Sequence, residues 1–367
     1  MPLRALWTPV STPCDDSSLA RSSHGLAVHG TSACLFGGEL KPRTPVDGSL
    51  TVIDLAHGQA IDVVSPDGSR PWPASRVGAS LTTASDGKMY LWGGRGGKEM
   101  GTFATELGIW QFDPERREWT HLETNGDRPE PRSFHTMCAG PDNKLYLHAG
   151  CPASGRLSQL HALDLSTLEW TALPSAPEPG RGGTVLTALP ASAHDSTGVR
   201  LARFGGFAGY ELDGLDVYDV DKREWTQVDA QVDGAGGQGE GRRRPGPDKR
   251  SVHVMVGLEG TLEYEGKRVV AVMAMGEREG APAELGHDGA GFFHQDAWAL
   301  LSSPSSTYSW VPLEPSARSQ GRPEPRGWLP AAYVGGQKVV FQGGLNEKNE
   351  RLADAWTLEV VLEQDDE

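Results

Sequence analysis

The chain has 367 residues, a formal net charge of −15 and a pI of about 5.2. Nucleic acids and anionic membranes are themselves negative, so we expect neither as a partner. The 47 glycines and 26 prolines are typical of a turn-rich all-β protein. No signal peptide precedes Trp7, no apolar run reaches the ~18 residues of a membrane span, and the cysteines show neither CxxC nor zinc spacing, so we expect a cytoplasmic protein.

One short device recurs six times along the chain: a β-prone apolar run ends in a glycine pair or a single glycine. The second residue of each pair follows the previous one by 56 residues in three successive steps, and then by 70 and 68 residues. Six copies at a near-fixed period indicate a repeat architecture. The pairs are Gly37-Gly38, Gly93-Gly94, Ala149-Gly150, Gly205-Gly206, Met275-Gly276 and Gly343-Gly344.

Each pair has the same companions in the same order. An arginine opens the segment before it, a strand ending near an aspartate follows it, and in four units a tryptophan opens a last strand. Four short strands per unit predict one blade of a β-propeller, with the tryptophan filling the wedge between blades. The arginines are Arg21, Arg76, Arg132, Arg181, Arg250 and Arg326, and the tryptophans are Trp119, Trp170, Trp225 and Trp310. We therefore predict an all-β, six-bladed propeller that forms one domain over residues 1–362.

The two ends of the chain complete each other in this scheme. The sixth unit ends after Ala355-Trp356-Thr357-Leu358 without a tryptophan-led fourth strand, whereas a segment of that kind surrounds Trp7 at the other end. We predict that this N-terminal strand completes the last blade, which removes the open sheet edges of a linear array.

Two segments interrupt the regular spacing. A glycine- and arginine-rich stretch at about 230–249 is too polar to pack and predicts a flexible insertion. A second insertion runs from Glu277 to Gln295 within blade 5, and the acidic residues 363–367 predict a disordered tail.

The order of arginine, glycine pair, aromatic-Asp and tryptophan resembles that of the kelch repeat over nearly the whole chain. In such a ring, the residue just after each glycine pair begins a loop on one face near the axis, where binding residues usually gather. The six residues are Glu39, Arg95, Cys151, Phe207, Glu277 and Leu345. Their varied, partly charged character favours a functional face at the mouth of the propeller.

The blade 5 insertion carries a candidate metal-ligand set. Glu284 and His287 are three residues apart, so one turn can direct both at one ion, and Glu277 adds a second carboxylate. Two carboxylates and one imidazole suit Fe(II) or Mn(II) and leave coordination positions open. The alternative is an acidic loop that is only solvated.

Among kelch proteins, the sequence is similar to the nitrile-specifier, epithiospecifier and thiocyanate-forming proteins. Arg95, Phe134, Trp328 and the blade 5 loop carry the more specific part of this resemblance. It implies a lyase in which Fe(II), or another divalent metal, is bound by Glu277, Glu284 and His287. It also implies that Arg95 holds the sulfate or carboxylate of a small anionic substrate, between Phe134 and Trp328 as apolar walls.

The ligand spacing departs from that family. The family loop reads Glu-x3-Asp-x3-His, whereas six residues separate Glu277 from Glu284 in this chain and two separate Glu284 from His287. We expect Arg95 and Glu277 to be catalytic, and Glu39 to contact the substrate with Arg95, Phe134 and Trp328. Two alternatives stay open: a kelch module that binds a protein partner over the same face, and a metal-free isomerase or cyclase.

Three histidines recur at one position of blades 1, 3 and 5, namely His24, His135 and His253. Three imidazoles around a channel could bind a metal ion. The alternative is that an Arg-Ser-x-His opening belongs to the repeat itself and that each histidine contacts a neighbouring blade.

Overall fold

The computed structural model describes residues 1–11, 19–57, 60–103, 108–191, 198–233, 246–281, 284 and 289–364. They form six antiparallel sheets with four blade strands each, which confirms the predicted six-bladed propeller. Within each blade the strands run from the innermost to the outermost, because each short turn returns the chain beside the strand it has just left. Nowhere in these ranges is there a helix long and apolar enough to cross a membrane.

The blades follow one another around the axis in chain order. From the innermost strand outwards, blades 1 to 3 comprise Gly25–His29, Ser32–Phe36, Leu50–Asp54 and Ala60–Val64; Ser80–Thr83, Met89–Trp92, Gly108–Asp113 and Glu118–Glu123; and Thr136–Ala139, Lys144–His148, Leu160–Asp164 and Glu169–Leu173. Blades 4 to 6 comprise Val185–Leu189, Arg200–Phe204, Leu215–Asp219 and Glu224–Val228; Val254–Gly257, Lys267–Ala274, Ala297–Ser302 and Tyr308–Pro312; and Ala331–Gly335, Lys338–Gln342, Ala355–Leu362 and Leu3–Val10.

Short strands extend several blades. Asn125–Gly126, Gln231–Val232 and Glu314–Pro315 each add in parallel to the outer strand of blade 3, 5 or 6, while Glu263–Tyr264 pairs within blade 5. Three hairpins begin directly after the glycine pairs of blades 1, 2 and 5: Glu39–Lys41 with Thr44–Pro45, Arg95–Gly96 with Gly101–Thr102, and Glu277–Glu279 with Phe292–Phe293.

The N-terminal strand closes the ring, as predicted. Leu3–Val10 pairs antiparallel with Ala355–Leu362 along its whole length. Trp7 is only 1% exposed and meets Phe341 edge to face, with ring centroids 5.9 Å apart. The two ends of the chain therefore share one blade and one core.

The predicted insertion near residues 230–249 is anchored at its beginning. Gln231–Val232 is a strand, and Asp233 accepts hydrogen bonds from Lys267 (Nζ, 2.6 Å) and Ser309 (Oγ, 2.7 Å) of blade 5. Residues 234–245 and 365–367 lie outside the described residues, so the flexible insertion and the disordered tail stay predictions there.

The core is divided among the wedges between blades. Each apolar cluster joins residues of neighbouring blades, such as Phe36 of blade 1 with Trp119 of blade 2, 5.4 Å apart. Trp170 and Trp310 are almost completely buried, as predicted for wedge fillers, whereas Trp225 is only half-buried.

Six buried arginines serve the repeat. Each is at most 4% exposed and donates from Nη1 to the carbonyl of the first residue of its own glycine pair, at 2.9–3.4 Å. In the last two blades, Arg250 and Arg326 also pair with Asp296 and Asp354. The buried guanidinium thereby gains an acceptor, and the carbonyl of the glycine pair gains a donor. This mutual need explains why an arginine stands before every glycine pair.

Two rings of backbone hydrogen bonds join the blades. In the first, the amide of the second residue of each glycine pair donates to the carbonyl of the next blade's arginine, at 2.8–2.9 Å. In the second, six residues nearest the axis each donate to the carbonyl of the preceding blade's equivalent residue, at 2.7–2.9 Å. We call these six residues the axial ring: Ser23, Gly78, Phe134, Gly183, Val252 and Trp328.

All six axial-ring residues have left-handed backbone conformations, with φ between 46° and 66°. For a β-branched residue such as Val252 this conformation is costly. The strain persists because the closed ring of hydrogen bonds and the flanking strands over-determine the backbone.

The three histidines at the equivalent position of alternate blades pack between blades. The ring of His135 lies against Gly93, where an added Cβ would come within 2.6 Å of its Cε1. His24 and His253 contact the first glycines of blades 6 and 4 in the same way. Since no three metal-ligating side chains cluster within the described ranges, the structure supports the packing alternative over the metal alternative.

A first prediction concerns ring closure. Changing Trp7 to Ala removes the largest side chain that the N-terminal strand buries, so the free energy of unfolding should fall by about 3–5 kcal/mol. Denaturant unfolding measures this loss. The control is Val63→Ala on the outer strand of blade 1, where the side chain is 49% exposed and the change should be small. Equal stability of the Trp7→Ala and wild-type proteins would show that the strand does not hold the ring closed.

A second prediction concerns pH. Burial, and then the charge of Arg132, lowers the pKa of His135 from 6.5 to about 3. As the pH falls, the unfolded chain therefore protonates this histidine at a higher pH than the folded protein does. The free energy of unfolding consequently decreases as the pH falls below 6.5. The loss approaches ~1.4 kcal/mol per pH unit for this residue.

Blade 6 has Leu at this position. Changing His135 to Leu should therefore remove the part of the pH dependence of the free energy of unfolding that this histidine causes. Urea unfolding at a series of pH values between neutrality and about 4 measures it. His57→Leu is the control, since that side chain is 81% exposed. An unchanged slope in His135→Leu would contradict the assignment.

Candidate functional site

The mouth of the propeller is built from equivalent positions of the six blades. The residue after each glycine pair forms a bridge with the residue just before the axial ring, as Arg95 does with Val77 and Glu277 with Ser251. The axial ring and the six mouth residues therefore lie side by side. Next to them, the innermost strands line an axial cavity of about 210 Å³.

An aromatic pair from opposite blades spans this mouth. Phe134 of blade 3 and Trp328 of blade 6 meet edge to face, with centroids 5.4 Å apart and planes at 81°. Both belong to the axial ring, and both line the axial cavity. The two predicted apolar walls are thus brought together, and they contact each other directly.

Arg95 of blade 2 lies beside this pair. Its guanidinium sits over the Phe134 ring, 4.9 Å from the centroid, and its Nε and Nη2 donate to the Ser133 hydroxyl at 2.8 and 2.6 Å. In the part of the chain that is described, no carboxylate lies within ion-pair distance of Arg95; this includes Glu99, the acidic residue nearest to it in the sequence. The side chain is half-buried, and this burial lowers its pKa while leaving it charged at neutral pH.

Glu39 is engaged by other residues of the mouth. Its Oε1 accepts from Arg351 Nη2 at 3.3 Å, and its Oε2 accepts from the Arg43 amide at 3.0 Å. The predicted role of Glu39 in substrate binding therefore competes with an existing ion pair between blades 1 and 6.

Glu277 of blade 5 is an unusual carboxylate, since it is only 8% exposed. Burial, and then the charge of Glu211, raises its pKa to about 7, while a hydrogen bond from Trp328 acts in the opposite direction. Glu277 thus contacts the aromatic pair at Trp328, whereas Arg95 contacts it at Phe134. Gly291 leaves room for Glu277, because an added Cβ there would lie 2.1 Å from Oε1.

The other two predicted metal ligands are not brought to this point by the described structure. Glu284 is an exposed turn residue, and His287 lies outside the described residues. Across the ranges that are described, no group of three His, Cys, Asp or Glu side chains could hold an ion. The buried carboxylate of Glu277 is the one predicted ligand, among those described, whose surroundings fit a cation.

Besides Arg351, sequence reasoning missed two charged residues of the mouth, Glu211 and Arg156. Glu211 is 8% exposed and forms a bridge back to Phe207, while Arg156 lies over the Phe207 ring at 4.7 Å. Both lie a few residues beyond the position that the repeat makes equivalent. Each lies where a mouth loop turns back towards its own start, and Arg351 has the same kind of place. A charged residue at such a turn is the sequence signal that could have identified them.

Comparisons with known proteins agree with this architecture. The family model of the KLHDC2/KLHL20/DRC7 Kelch-repeats domain matches residues 23–262. The chain is 26% identical over 374 residues to the N-(sulfonatooxy)prop-2-enimidothioate sulfolyase of Thlaspi arvense, covering 95% of each protein.

Two further relatives match over only part of their own length. Host cell factor 2 of Homo sapiens is 27% identical over 57% of this chain and 29% of that protein. A putative adagio-like protein 2 of Oryza sativa subsp. japonica is 26% identical over 92% of this chain and 48% of that protein. With its six blades, its buried arginines and the match to the family model, the chain belongs to the kelch-repeat family.

Proposed function

We propose that this chain is a small-molecule lyase of specifier-protein type, which breaks down or rearranges an anionic metabolite at the propeller mouth. The observation that carries the proposal is Arg95, a half-buried cation beside an apolar pair, with no carboxylate within ion-pair distance among the described residues. The full-length similarity to a sulfolyase supports it, since that relative's name describes a substrate with a sulfate ester.

Arg95 is suited to bind such an anion. Two of its N–H groups donate to Ser133, which fixes the plane of the guanidinium, and the other N–H groups are available to a ligand. A planar guanidinium matches sulfate or carboxylate oxygens bidentately. The substrate anion would therefore lie next to Phe134, with its apolar part against the aromatic pair.

The aromatic pair and Glu277 would complete the pocket. Phe134 and Trp328 exclude water from the bound anion, which strengthens its interaction with Arg95. Burial and the charge of Glu211 raise the pKa of Glu277 to about 7, so a bound proton or a neighbouring cation would stabilise it near neutral pH.

We propose that a divalent cation, Fe(II) by preference, fills this need with Glu277, Glu284 and His287 as ligands. Oxygen and imidazole donors suit this class of ion. When bound, it would supply Lewis-acid stabilisation of charge on the leaving group.

The anion-binding role of Arg95 is testable with N-(sulfonatooxy)prop-2-enimidothioate, followed by sulfate release. Hydrogen bonds to a charged group contribute roughly 1.5–3 kcal/mol each, so Arg95→Ala should lower kcat/KM about ten- to a hundredfold. Arg95→Lys should recover only part of this loss, because a point charge does not reproduce the planar fork.

Arg116→Ala is the matched control, since this exposed arginine lies on an outer turn of the same blade. Melting temperatures should stay unchanged in Arg95→Ala, which separates binding from folding. Unchanged turnover in Arg95→Ala would overturn the anion-binding role. Absence of sulfate release by the wild-type protein would favour the protein-interaction or metal-free alternatives.

The ligand set is tested separately by iron content. Protein purified without oxygen should hold about one Fe(II) per chain, and Glu277→Ala, Glu284→Ala and His287→Ala should each release it, because three ligands leave little redundancy. Glu279→Ala is the control, being an exposed carboxylate of the same hairpin. Iron retained after all three ligand changes would refute this set.

A further inference from the structure

Two carboxylates from neighbouring blades lie together inside the mouth. Glu211 of the blade 4 loop and Glu277 of blade 5 are each only 8% exposed, and the charge of Glu211 acts on Glu277. The backbone explains their proximity. Arg250 donates its amide to the carbonyl of Leu212, at 3.0 Å, and the next residue, Ser251, exchanges two hydrogen bonds with Glu277, at 2.8 and 2.9 Å.

Glu211 lacks the partners that a buried carboxylate normally has. Its Oε1 is buried with no hydrogen-bond partner in the described part of the chain. Within the same ranges, no Lys or Arg lies within ion-pair distance of Glu211 or Glu277. Arg250, whose backbone contacts Leu212, is committed to Asp296 with both of its Nη atoms, at 2.7 and 2.8 Å.

Two carboxylates buried side by side are costly when no positive side chain lies within ion-pair distance and one oxygen has no hydrogen-bond partner in the described part of the chain. A cation between them would serve as the missing partner of both. An open cavity of about 690 Å³ reaches Glu211, and its lining includes Lys249 and Arg278 beside Phe293 and His294. Gly291 packs against Glu277 Oε1, where a side chain would collide with the carboxylate.

We propose that Glu211 is a ligand of the divalent cation that binds Glu277, so that the ion lies between blades 4 and 5. This inference rests on the proposed function and deepens it, since it adds a ligand from outside the blade 5 loop. Two carboxylates select an oxygen-preferring ion such as Mn(II) or Fe(II). The chain would thus hold the ion from two blades, beside Trp328.

Mn(II) binding to the full chain tests this directly, with free Mn(II) measured by electron paramagnetic resonance. Glu211→Gln keeps the size of the side chain and removes its charge, so the Kd for Mn(II) should rise at least about tenfold. Glu277→Gln should have a similar effect. Glu279→Gln, the exposed carboxylate of the neighbouring hairpin, should leave the Kd unchanged.

Melting temperature provides a second readout that a purely structural role would not reproduce. Without metal, Glu211→Gln should raise the melting temperature, because it relieves repulsion, and it should abolish the rise that Mn(II) causes in the wild-type protein. A glutamate needed only for packing would instead lower the melting temperature when changed.

Two glycines of the blade 5 insertion allow a matched test of the geometry. Gly291→Ala places a Cβ against Glu277 Oε1 and should weaken Mn(II) binding, whereas Gly280→Ala meets nothing within 4 Å in the described structure and should not. An unchanged Kd in Glu211→Gln, with binding lost in Glu277→Gln, would overturn this inference and leave the proposed ligand set standing. No Mn(II) binding by the wild-type protein would overturn it together with the metal, while sulfate release tests the lyase independently.

Discussion

The axial ring is the constraint on which the rest of this structure depends. Six hydrogen bonds close a circle only if all six blades are present, and the N-terminal strand completes the last blade at its outer side. The ring holds its members in left-handed conformations that free chains avoid. In return, it places Phe134 and Trp328 against each other at the centre of the mouth.

Most buried polar groups of this protein maintain the repeat. The arginine before each glycine pair satisfies carbonyls within its own blade, and the alternate histidines stay neutral inside the wedges. The groups without such a partner are therefore informative. Arg95, Glu211 and Glu277 are ionisable and at least half-buried, and none of them has an ion-pair partner among the described residues.

A kelch propeller alone does not define an activity, because one fold supports many functions. The relatives illustrate this, since the adagio-like protein matches almost the whole propeller and yet is about twice as long. The proposed chemistry rests instead on the mouth, where a cation and a carboxylate pair flank one aromatic pair. Arg95 lies at Phe134 and Glu277 at Trp328, so the aromatic rings would separate the proposed anion site from the proposed cation site.

The sequence by itself determined the blades, their number and the closing strand, because strand periodicity, glycine turns and wedge tryptophans are local signals that repeat along the chain. Repeat position also identified Arg95 and Glu277 as mouth residues, whereas Phe134 and Trp328 were identified by the resemblance to the specifier proteins. Only the tertiary structure decided their partners. Glu39 meets Arg351 across 312 residues, and Glu211 reaches Glu277 from another blade. Such contacts follow from how loops of different length turn back over the mouth, which no periodic pattern encodes.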